Sequence, residues 1–154
     1  MESSLASAGT SMRRHQVTGD VHLLLVDRFG KILFGRRQNT GFEDGAYHLP
    51  AGHLEAGESV VRALIREAKE EIGVGLVPEA AEFAHVMHNA SGGGRVAFFF
   101  TVREWDGVPE NREPGKCSEL AWFPADGLPE HMIGYCRAAL DHIAHDRAFS
   151  VYGW

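Results

Sequence analysis

The chain has 154 residues, of which 44% are hydrophobic and 23% are charged, and its formal net charge is -6. This length and composition fit one globular domain that buries enough apolar surface to fold without disulfide bonds. The acidic balance argues against a surface for nucleic acid or anionic membranes, but a metal ion could still bridge the protein to a small phosphorylated ligand. The two cysteines, Cys117 and Cys136, make neither a zinc site nor a disulfide framework, which favours a cytoplasmic protein.

The first residues are predicted to form a tail ahead of the domain. Residues 1–14 are rich in Ser, Ala and Gly, and they lack the apolar core of a signal peptide. No other stretch is long and apolar enough to span a membrane. We therefore expect a flexible tail over residues 1–14, one domain over residues 15–154, and no membrane partner.

Short apolar runs separated by glycine, asparagine and proline predict a succession of strands. The predicted strands cover residues 15–27, 32–34, 47–50, 82–88, 95–103 and 118–123. The first two are expected to form a hairpin around the turn at residues 28–31. Residues 38–46 and 52–57 are predicted to be loops, and the aromatic residues 149–154 are expected to pack back on the body.

Apolar residues at helical spacing predict two helices. The first runs from residue 59 to residue 72 with Gly73 as its C-cap, and the second runs from residue 129 to residue 145. The apolar stripe of the first helix is expected to centre on Val61, Ile65, Ala68 and Ile72. Strands, helix, strands and helix in this order predict an α/β fold, an α/β/α sandwich in which helices cover both faces of a mixed β-sheet.

Glu67, Glu70 and Glu71 share one narrow face of the first predicted helix. Like charges at these spacings destabilise a helix, so a compensating cation is expected. Ligands that offer only oxygen favour Mg²⁺ or Mn²⁺ over zinc, and such ions promote hydrolysis of phosphoanhydrides. Taken alone, however, three glutamates on a helix are more often a solvated acidic face.

A longer pattern surrounds these glutamates. It reads glycine, five residues, Glu, seven residues, Arg-Glu-apolar, one residue, Glu-Glu, one residue and Gly-apolar. The residues that occupy its fixed positions are Gly52, Glu58, Arg66, Glu67, Ala68, Glu70, Glu71, Gly73 and Val74. The pattern resembles the Nudix box without a departure, so the chain is identified as a MutT-like member of the Nudix hydrolase family. The segment that leads into the box resembles a bacterial subgroup with no assigned substrate.

The resemblance implies that the box forms a loop–helix–loop metal site. By position, Glu67 and Glu71 would be the main ligands of Mg²⁺ or Mn²⁺. Glu70 would be a further ligand or the base that deprotonates the attacking water. The backbone carbonyl of Gly52 would complete the metal shell.

Glu58 lies roughly opposite Glu67 on an ideal helical wheel, so a regular helix could not bring it to the metal. We expect it at the junction of loop and helix, where it pairs with Arg66 or reaches an outer metal. Family members often recruit another acid from a later loop, and Glu113 and Glu119 are the candidates. Either one could instead be a surface carboxylate.

A polyphosphate substrate also needs cationic partners. Arg36 and Arg37 follow the second predicted strand and are expected to reach phosphate. Because adjacent strand residues point to opposite faces, we expect only one of them to face the site. Phe42 and Tyr47 could stack on a base, although packing in the core or in a loop is the commoner role of such residues.

The resemblance implies hydrolysis of a nucleoside diphosphate linked to a further moiety. Sequence markers of several subgroups are missing after the box, including the proline expected in ADP-ribose pyrophosphatases. A (deoxy)nucleoside triphosphate pyrophosphohydrolase is therefore the leading hypothesis. The rival hypotheses are an ADP-ribose or nucleotide-sugar pyrophosphatase, a Nudix-fold module that binds or senses a nucleotide without cleaving it, and an isoprenoid diphosphate isomerase with Cys117 or Cys136 as its thiol.

The expected partner is a small-molecule nucleotide and not a nucleic acid. The sequence does not decide the oligomeric state, and a homodimer stays open.

Overall fold

The computed structural model describes residues 14–154, so the predicted tail, apart from Arg14, lies outside the described residues. The strands are β1 Thr18–Leu25, β2 Lys31–Arg37, β3 Tyr47–His48, β4 Ala51–His53, β5 Glu82–Asn89, β6 Arg95–Val102, β7 Cys117–Pro124 and β8 Phe149–Tyr152. The helices are α1 Val60–Ile72, between β4 and β5, and α2 Gly134–Ala144, between β7 and β8. Among the described residues, no helix combines the length and hydropathy needed to cross a bilayer.

The strands form two sheets. The larger sheet has the order β4-β1-β6-β5-β8 and is mixed, because β1 pairs in parallel with β6 and antiparallel with β4. Within it, β5 pairs antiparallel with β6 and in parallel with β8. The smaller sheet has the order β3-β2-β7 and is antiparallel. The mixed sheet is thus confirmed, and the division into two sheets was not predicted.

Helices cover both faces of the larger sheet. Val21, Leu23 and Leu25 of β1 belong to a buried cluster that includes the apolar face of α1. Leu24, which points the other way, belongs to a second cluster that includes α2. The α/β/α sandwich is therefore confirmed.

The predicted hairpin of β1 and β2 is reduced to a single bridge between Val26 and Ile32. The turn itself forms as predicted, since a carboxylate oxygen of Asp27 accepts hydrogen bonds from the backbone N–H groups of Phe29 and Lys31. Beyond the bridge the strands separate, because β1 takes β4 and β6 as partners while β2 takes β3 and β7.

Helix α1 has the ends that its sequence predicts. Ser59 is the N-cap, and its side chain accepts a hydrogen bond from the backbone N–H of Arg62. Gly73 is the C-cap with φ of 73°, a left-handed conformation that glycine adopts without steric cost. The buried stripe agrees with the predicted one at Ala68 and Ile72 and differs from it at the other two positions. It comprises Ala63, Leu64, Ala68 and Ile72, whereas Val61 and Ile65 are only half-buried.

The aromatic residues after α2 were expected to pack on the body of the domain. They do so as strand β8, which joins the larger sheet beside β5. Trp154 Nε1 donates a hydrogen bond to the carbonyl of His88 at 3.0 Å. His85 is buried beneath β8, where Nδ1 lies 2.6 Å from the carbonyl of Arg147 and Nε2 lies 2.7 Å from Ser150 Oγ. These contacts fix β8 at the edge of the sheet.

A buried polar bridge links the two sheets. The hydroxyl of Tyr135 in α2 lies 2.7 Å from Nε2 of His22 in β1 and 3.2 Å from Nε2 of His48 in β3. The Nδ1 atoms of both histidines are buried and have no hydrogen-bond partner among the described residues. Burial lowers the pKa of His22 well below its usual value and lowers the pKa of His48 to about 3. Both rings are therefore neutral in the folded protein at pH 7.

We predict that acid destabilises the fold through these histidines. In the unfolded chain each takes up a proton near pH 6.5, whereas in the folded chain it does so only at much lower pH. Lowering the pH from 6.5 towards 3 therefore favours unfolding, by up to about 1.4 kcal/mol per pH unit for each histidine. Urea unfolding followed by circular dichroism between pH 7.5 and 4.5 measures this slope.

His48→Gln should make that slope shallower, because one protonation of the unfolded chain is removed. His145→Gln is the matched control, since His145 is exposed at the end of α2 and should leave the slope nearly unchanged. Equal slopes for the wild type and His48→Gln would contradict the assignment.

Candidate active site

A cleft of about 690 Å³ lies between α1, β4 and the smaller sheet. Its walls carry carboxylates on one side and cationic groups on the other. The lining residues on which the chemistry depends are Arg36, Arg37, Gly52, Glu67, Glu71 and Glu113. The structure therefore brings together residues from the box, from the end of β2 and from the segment before β7.

The carboxylate of Glu67 packs directly against the backbone of β4. A Cβ atom placed on Gly52 would stand 2.0 Å from Glu67 Oε2, so a side chain at this position would displace the carboxylate. Gly52 is itself held by the sheet, because it pairs with Val21 of β1. The glycine that opens the box is thus needed for a close approach.

Glu71 is more deeply buried than Glu67, and its Oε1 accepts a hydrogen bond from the backbone N–H of Ala51 at 3.1 Å. Burial raises the pKa of Glu71 to about 9, and the charges of Glu67 and Glu113 act in the same direction. Burial also raises the pKa of Glu67, although hydrogen bonding to Arg66 opposes the shift. Glu71 in particular is buried beside two other carboxylates, and a bound divalent cation would supply the positive charge that offsets them.

Arg66 connects the remaining carboxylates. Its Nε and Nη2 donate to both carboxylate oxygens of Glu58, at 2.7 and 2.9 Å. Its Nη1 donates to Glu67 at 2.8 Å and to Glu70 at 3.2 Å, and Nη2 also donates to the carbonyl of His53 at 3.0 Å. Hydrogen bonding to Arg66 lowers the pKa of Glu58 to about 2. Glu58 thus lies at the junction of loop and helix and pairs with Arg66, the first of its two predicted arrangements.

The donor set suits a hard divalent cation, although no preformed centre is present. Within residues 14–154, no three acidic, histidine or cysteine side chains converge in the geometry of metal ligands. Arg66 accounts for this, because it holds Glu67 and Glu70. Glu67 and Glu71 nevertheless place buried carboxylates beside the backbone of Gly52, and oxygen ligands of this kind fit Mg²⁺ or Mn²⁺. A cation at this position would compete with Arg66 for Glu67.

Arg36 and Arg37 both line the cleft, whereas only one of them was expected to face the site. The physical reason is an irregularity in the pairing of β2 with β7 between Gly35 and Arg37, which changes the alternation of side chains there. Each guanidinium also binds the loop that follows β2. Arg36 Nε donates to the carbonyl of Gly45 at 3.0 Å, and Arg37 Nε donates to the carbonyl of Phe42 at 2.8 Å.

The structure separates the two candidate extra acids. Glu113 lines the cleft and lies close enough to Glu67 and Glu71 for its charge to raise the pKa of both. Glu119 does not line the cleft, and its Oε1 lies 3.8 Å from Nη1 of Arg36.

The two aromatic candidates do not line the cleft. Phe42 is 53% exposed, and the guanidinium of Arg37 lies 5.3 Å from the centre of its ring. Tyr47 packs edge-on against Phe123, with ring centres 5.1 Å apart. In this conformation both support the walls of the cleft and do not face its interior.

The sequence reasoning missed four further residues of the cleft, namely His48, His53, Asn111 and Lys116. His53 follows Gly52 directly, and its place in the box was a usable signal. Its Nδ1 lies 2.6 Å from a carboxylate oxygen of the buried Asp20. Asn111 and Lys116 reach the cleft because β7 pairs with β2, and no local sequence pattern predicts that pairing.

Comparison with known proteins identifies a matching family and several similar proteins. Residues 17–140 match the family model described as NUDIX domain. The ADP-ribose pyrophosphatase of Methanocaldococcus jannaschii is 42% identical over 120 residues, which cover 77% of this chain and 69% of that protein. The human 8-oxo-dGDP phosphatase NUDT18 is 36% identical over 87 residues, which cover 55% of this chain. That match spans only 26% of the human protein.

Solved structures share the fold. The crystal structure of a MutT NUDIX hydrolase from Burkholderia pseudomallei superimposes with a TM-score of 0.73 at 32% identity. The superposition covers 82% of this chain and 97% of that one.

We predict that Gly52→Ala weakens divalent-cation binding about 10- to 100-fold, because the new Cβ displaces the Glu67 carboxylate. Electron paramagnetic resonance of free Mn²⁺ measures the affinity without any substrate. Gly57→Ala is the matched control, because a Cβ at Gly57 would meet no atom within 4 Å. Gly57 has a positive φ, so this control should cost some stability without weakening Mn²⁺ binding. Unchanged Mn²⁺ affinity in Gly52→Ala would contradict the role given to this close contact.

Proposed function

The chain belongs to the Nudix family, and we propose that it is a divalent-metal-dependent hydrolase of a phosphoanhydride in a nucleoside diphosphate linked to a further moiety. The observation that carries the proposal is that Glu67 and Glu71 line the same cleft as Arg36 and Arg37. A polyphosphate needs both sides of this arrangement, because the carboxylates hold a cation and the arginines meet phosphate oxygens directly.

Each acidic residue has a distinct part in the proposed reaction. Glu67 and Glu71, with the carbonyl of Gly52, hold the metal, and Glu113 adds a further carboxylate from outside the box. Glu70 is 55% exposed, which suits a ligand at the open side of the site or a base that takes a proton from water. When bound, Mg²⁺ or Mn²⁺ polarises phosphoryl oxygens and lowers the pKa of water.

Arg66 and Glu58 support this set and do not touch the substrate. Their two-point ion pair spans the start of α1 and its middle, so Arg66 stays in place beside Glu67 and Glu70. If Glu67 were engaged by a cation, the two hydrogen bonds to Glu58 would keep Arg66 in place.

The leading substrate class is a (deoxy)nucleoside triphosphate. Water would attack phosphorus, the bridging P–O bond would break, and a nucleoside monophosphate and pyrophosphate would leave. The human relative named an 8-oxo-dGDP phosphatase supports a nucleotide substrate, in its case a deoxynucleoside diphosphate. The archaeal relative named an ADP-ribose pyrophosphatase favours a second candidate, ADP-ribose or a nucleotide sugar.

A nucleotide sensor and an isoprenoid diphosphate isomerase both have less support. A module that binds a nucleotide without cleaving it would not need the complete set of carboxylates in the cleft. An isoprenoid isomerase would need a thiol that ionises easily, whereas burial raises the pKa of Cys136 to about 12 and also raises the pKa of Cys117.

We predict that the wild type hydrolyses at least one member of a nucleotide panel in Mg²⁺ and that Glu71→Gln lowers kcat at least about 100-fold. The loss is expected because an amide cannot supply the charge that holds the metal. The panel contains the eight common nucleoside and deoxynucleoside triphosphates, 8-oxo-dGTP, 8-oxo-dGDP, ADP-ribose and a nucleotide sugar. Mass spectrometry of the products identifies the substrate and the bond that is cut.

Glu79→Gln is the matched control, since Glu79 is an exposed carboxylate outside the cleft lining. It should keep the wild-type rate. Binding of a nucleotide without any hydrolysis product by mass spectrometry across the panel would favour a sensor. Wild-type turnover in Glu71→Gln on every accepted substrate would overturn the site assignment.

A further inference from the structure

The segment of residues 110–117, called the strap here, is tied at its beginning to the end of α1. The backbone N–H of Glu110 donates to the carbonyl of Ile72, and that of Arg112 donates to the carbonyl of Glu71, both at 3.0 Å. The last carbonyls of a helix have no partner within the helix, so the strap satisfies two groups that would otherwise need water. The beginning of the strap is therefore held by hydrogen bonds to the helix that carries the glutamates of the box.

The far end of the strap is tied to the loop that follows β2. Gln38 uses its backbone N–H for the carbonyl of Lys116 at 2.9 Å and its side-chain Nε2 for the carbonyl of Pro114 at 2.6 Å. Asn39 Nδ2 donates to the carbonyl of Gly115 at 3.1 Å. The strap is thus fixed on both sides of the cleft, and Glu113 lies between its two anchors.

Within the strap, Asn111 uses both ends of its amide. Its Oδ1 accepts from the backbone N–H of Glu113 at 3.0 Å, and its Nδ2 donates to the carbonyl of Cys117 at 2.7 Å. The carbonyl of Glu113 accepts from the N–H groups of Lys116 and Cys117, each at 2.9 Å. Asn111 therefore closes a turn in which the backbone on both sides of Glu113 is held.

The position of Glu113 needs such restraint. Its carboxylate faces the same cleft as Glu67 and Glu71, and like charges at close range repel one another. Glu113 is exposed to solvent, so an unrestrained strap would let its carboxylate turn away from the cleft. No apolar side chain could make the two hydrogen bonds of Asn111, and a carboxylate could accept from Glu113 but not donate to Cys117.

We propose that Asn111 is a positioning residue that holds Glu113 towards the divalent cation, an inference that rests on the metal site of the proposed function. The carboxylates of the metal site then come from two separate segments of the chain. The box supplies Glu67 and Glu71 from α1, and the strap supplies Glu113 through Asn111.

The test is a double-mutant cycle of Asn111→Ala and Glu113→Gln, read first as Mn²⁺ affinity by electron paramagnetic resonance of the free ion. Each single variant should weaken Mn²⁺ binding about tenfold. If Asn111 acts through Glu113, the double variant should be no weaker than Glu113→Gln alone. The Mg²⁺ concentration for half-maximal hydrolysis should rise in parallel, with little change in KM at saturating metal.

Asn89→Ala is the matched control. Asn89 is buried outside the cleft lining, and its Oδ1 accepts from the backbone N–H of Ser91 at 3.1 Å, so its loss also removes a hydrogen bond between a side chain and a loop. It should lower the melting temperature without changing Mn²⁺ affinity. If Asn111→Ala does not fold, Asn111→Ser takes its place in the cycle, because its short hydroxyl cannot reach the carbonyl of Cys117 and adds no charge to the cleft.

Wild-type Mn²⁺ affinity in the Asn111 variant, or losses that add in full with Glu113→Gln, would overturn the inference. A Glu113→Gln variant with wild-type affinity would also overturn it, while a loss in Glu71→Gln would leave the proposed metal site standing. Failure of the proposed function is distinguishable, since the wild type would then bind Mn²⁺ and hydrolyse nothing in the panel.

Discussion

Glu67, Glu70 and Glu71 lie within about one turn of one another on α1, and their negative charges repel. The rest of the site is arranged around that repulsion. Arg66 offsets it by reaching two of the three carboxylates, and Glu58 holds Arg66 from the start of the helix. Glu71 is instead buried with a single backbone hydrogen bond and beside two other carboxylates, which disfavours its charged form until a cation binds.

Packing decides where these charges lie. Helix α1 buries Ala63, Leu64, Ala68 and Ile72 against the larger sheet, and this places the glutamates at the sheet's edge beside β4. Glycine at position 52 then allows the closest approach of side chain and strand. The smaller sheet completes the cleft from the other side, and the Tyr135 bridge joins it to the larger sheet through two neutral histidines. The box glutamates thus lie on a helix packed against the larger sheet, whereas Arg36 and Arg37 belong to the smaller sheet.

The sequence was informative wherever spacing along one element determines geometry. The wheel of α1 was enough to group the three glutamates and to separate Glu58 from them, and the C-cap at Gly73 marked the end of the helix. Features that depend on pairing between distant segments could not be predicted. The division into two sheets, the irregularity beside Arg37 and the arrival of the strap in the cleft all follow from the pairing of β2 with β7.

The parallel pairing of β1 with β6 has a consequence for synthesis on the ribosome. Thr18 pairs with Arg95, and Leu25 pairs with Val102. Strand β1 therefore cannot pair with β6 until most of the chain has been synthesised. At roughly 5–20 residues per second, the apolar run of β1 stays without that partner for several seconds. Helix α1 emerges during this interval and has only an incomplete sheet on which to pack. The nascent chain therefore leaves the apolar run of β1 exposed during this interval, and its metal-binding face is assembled late.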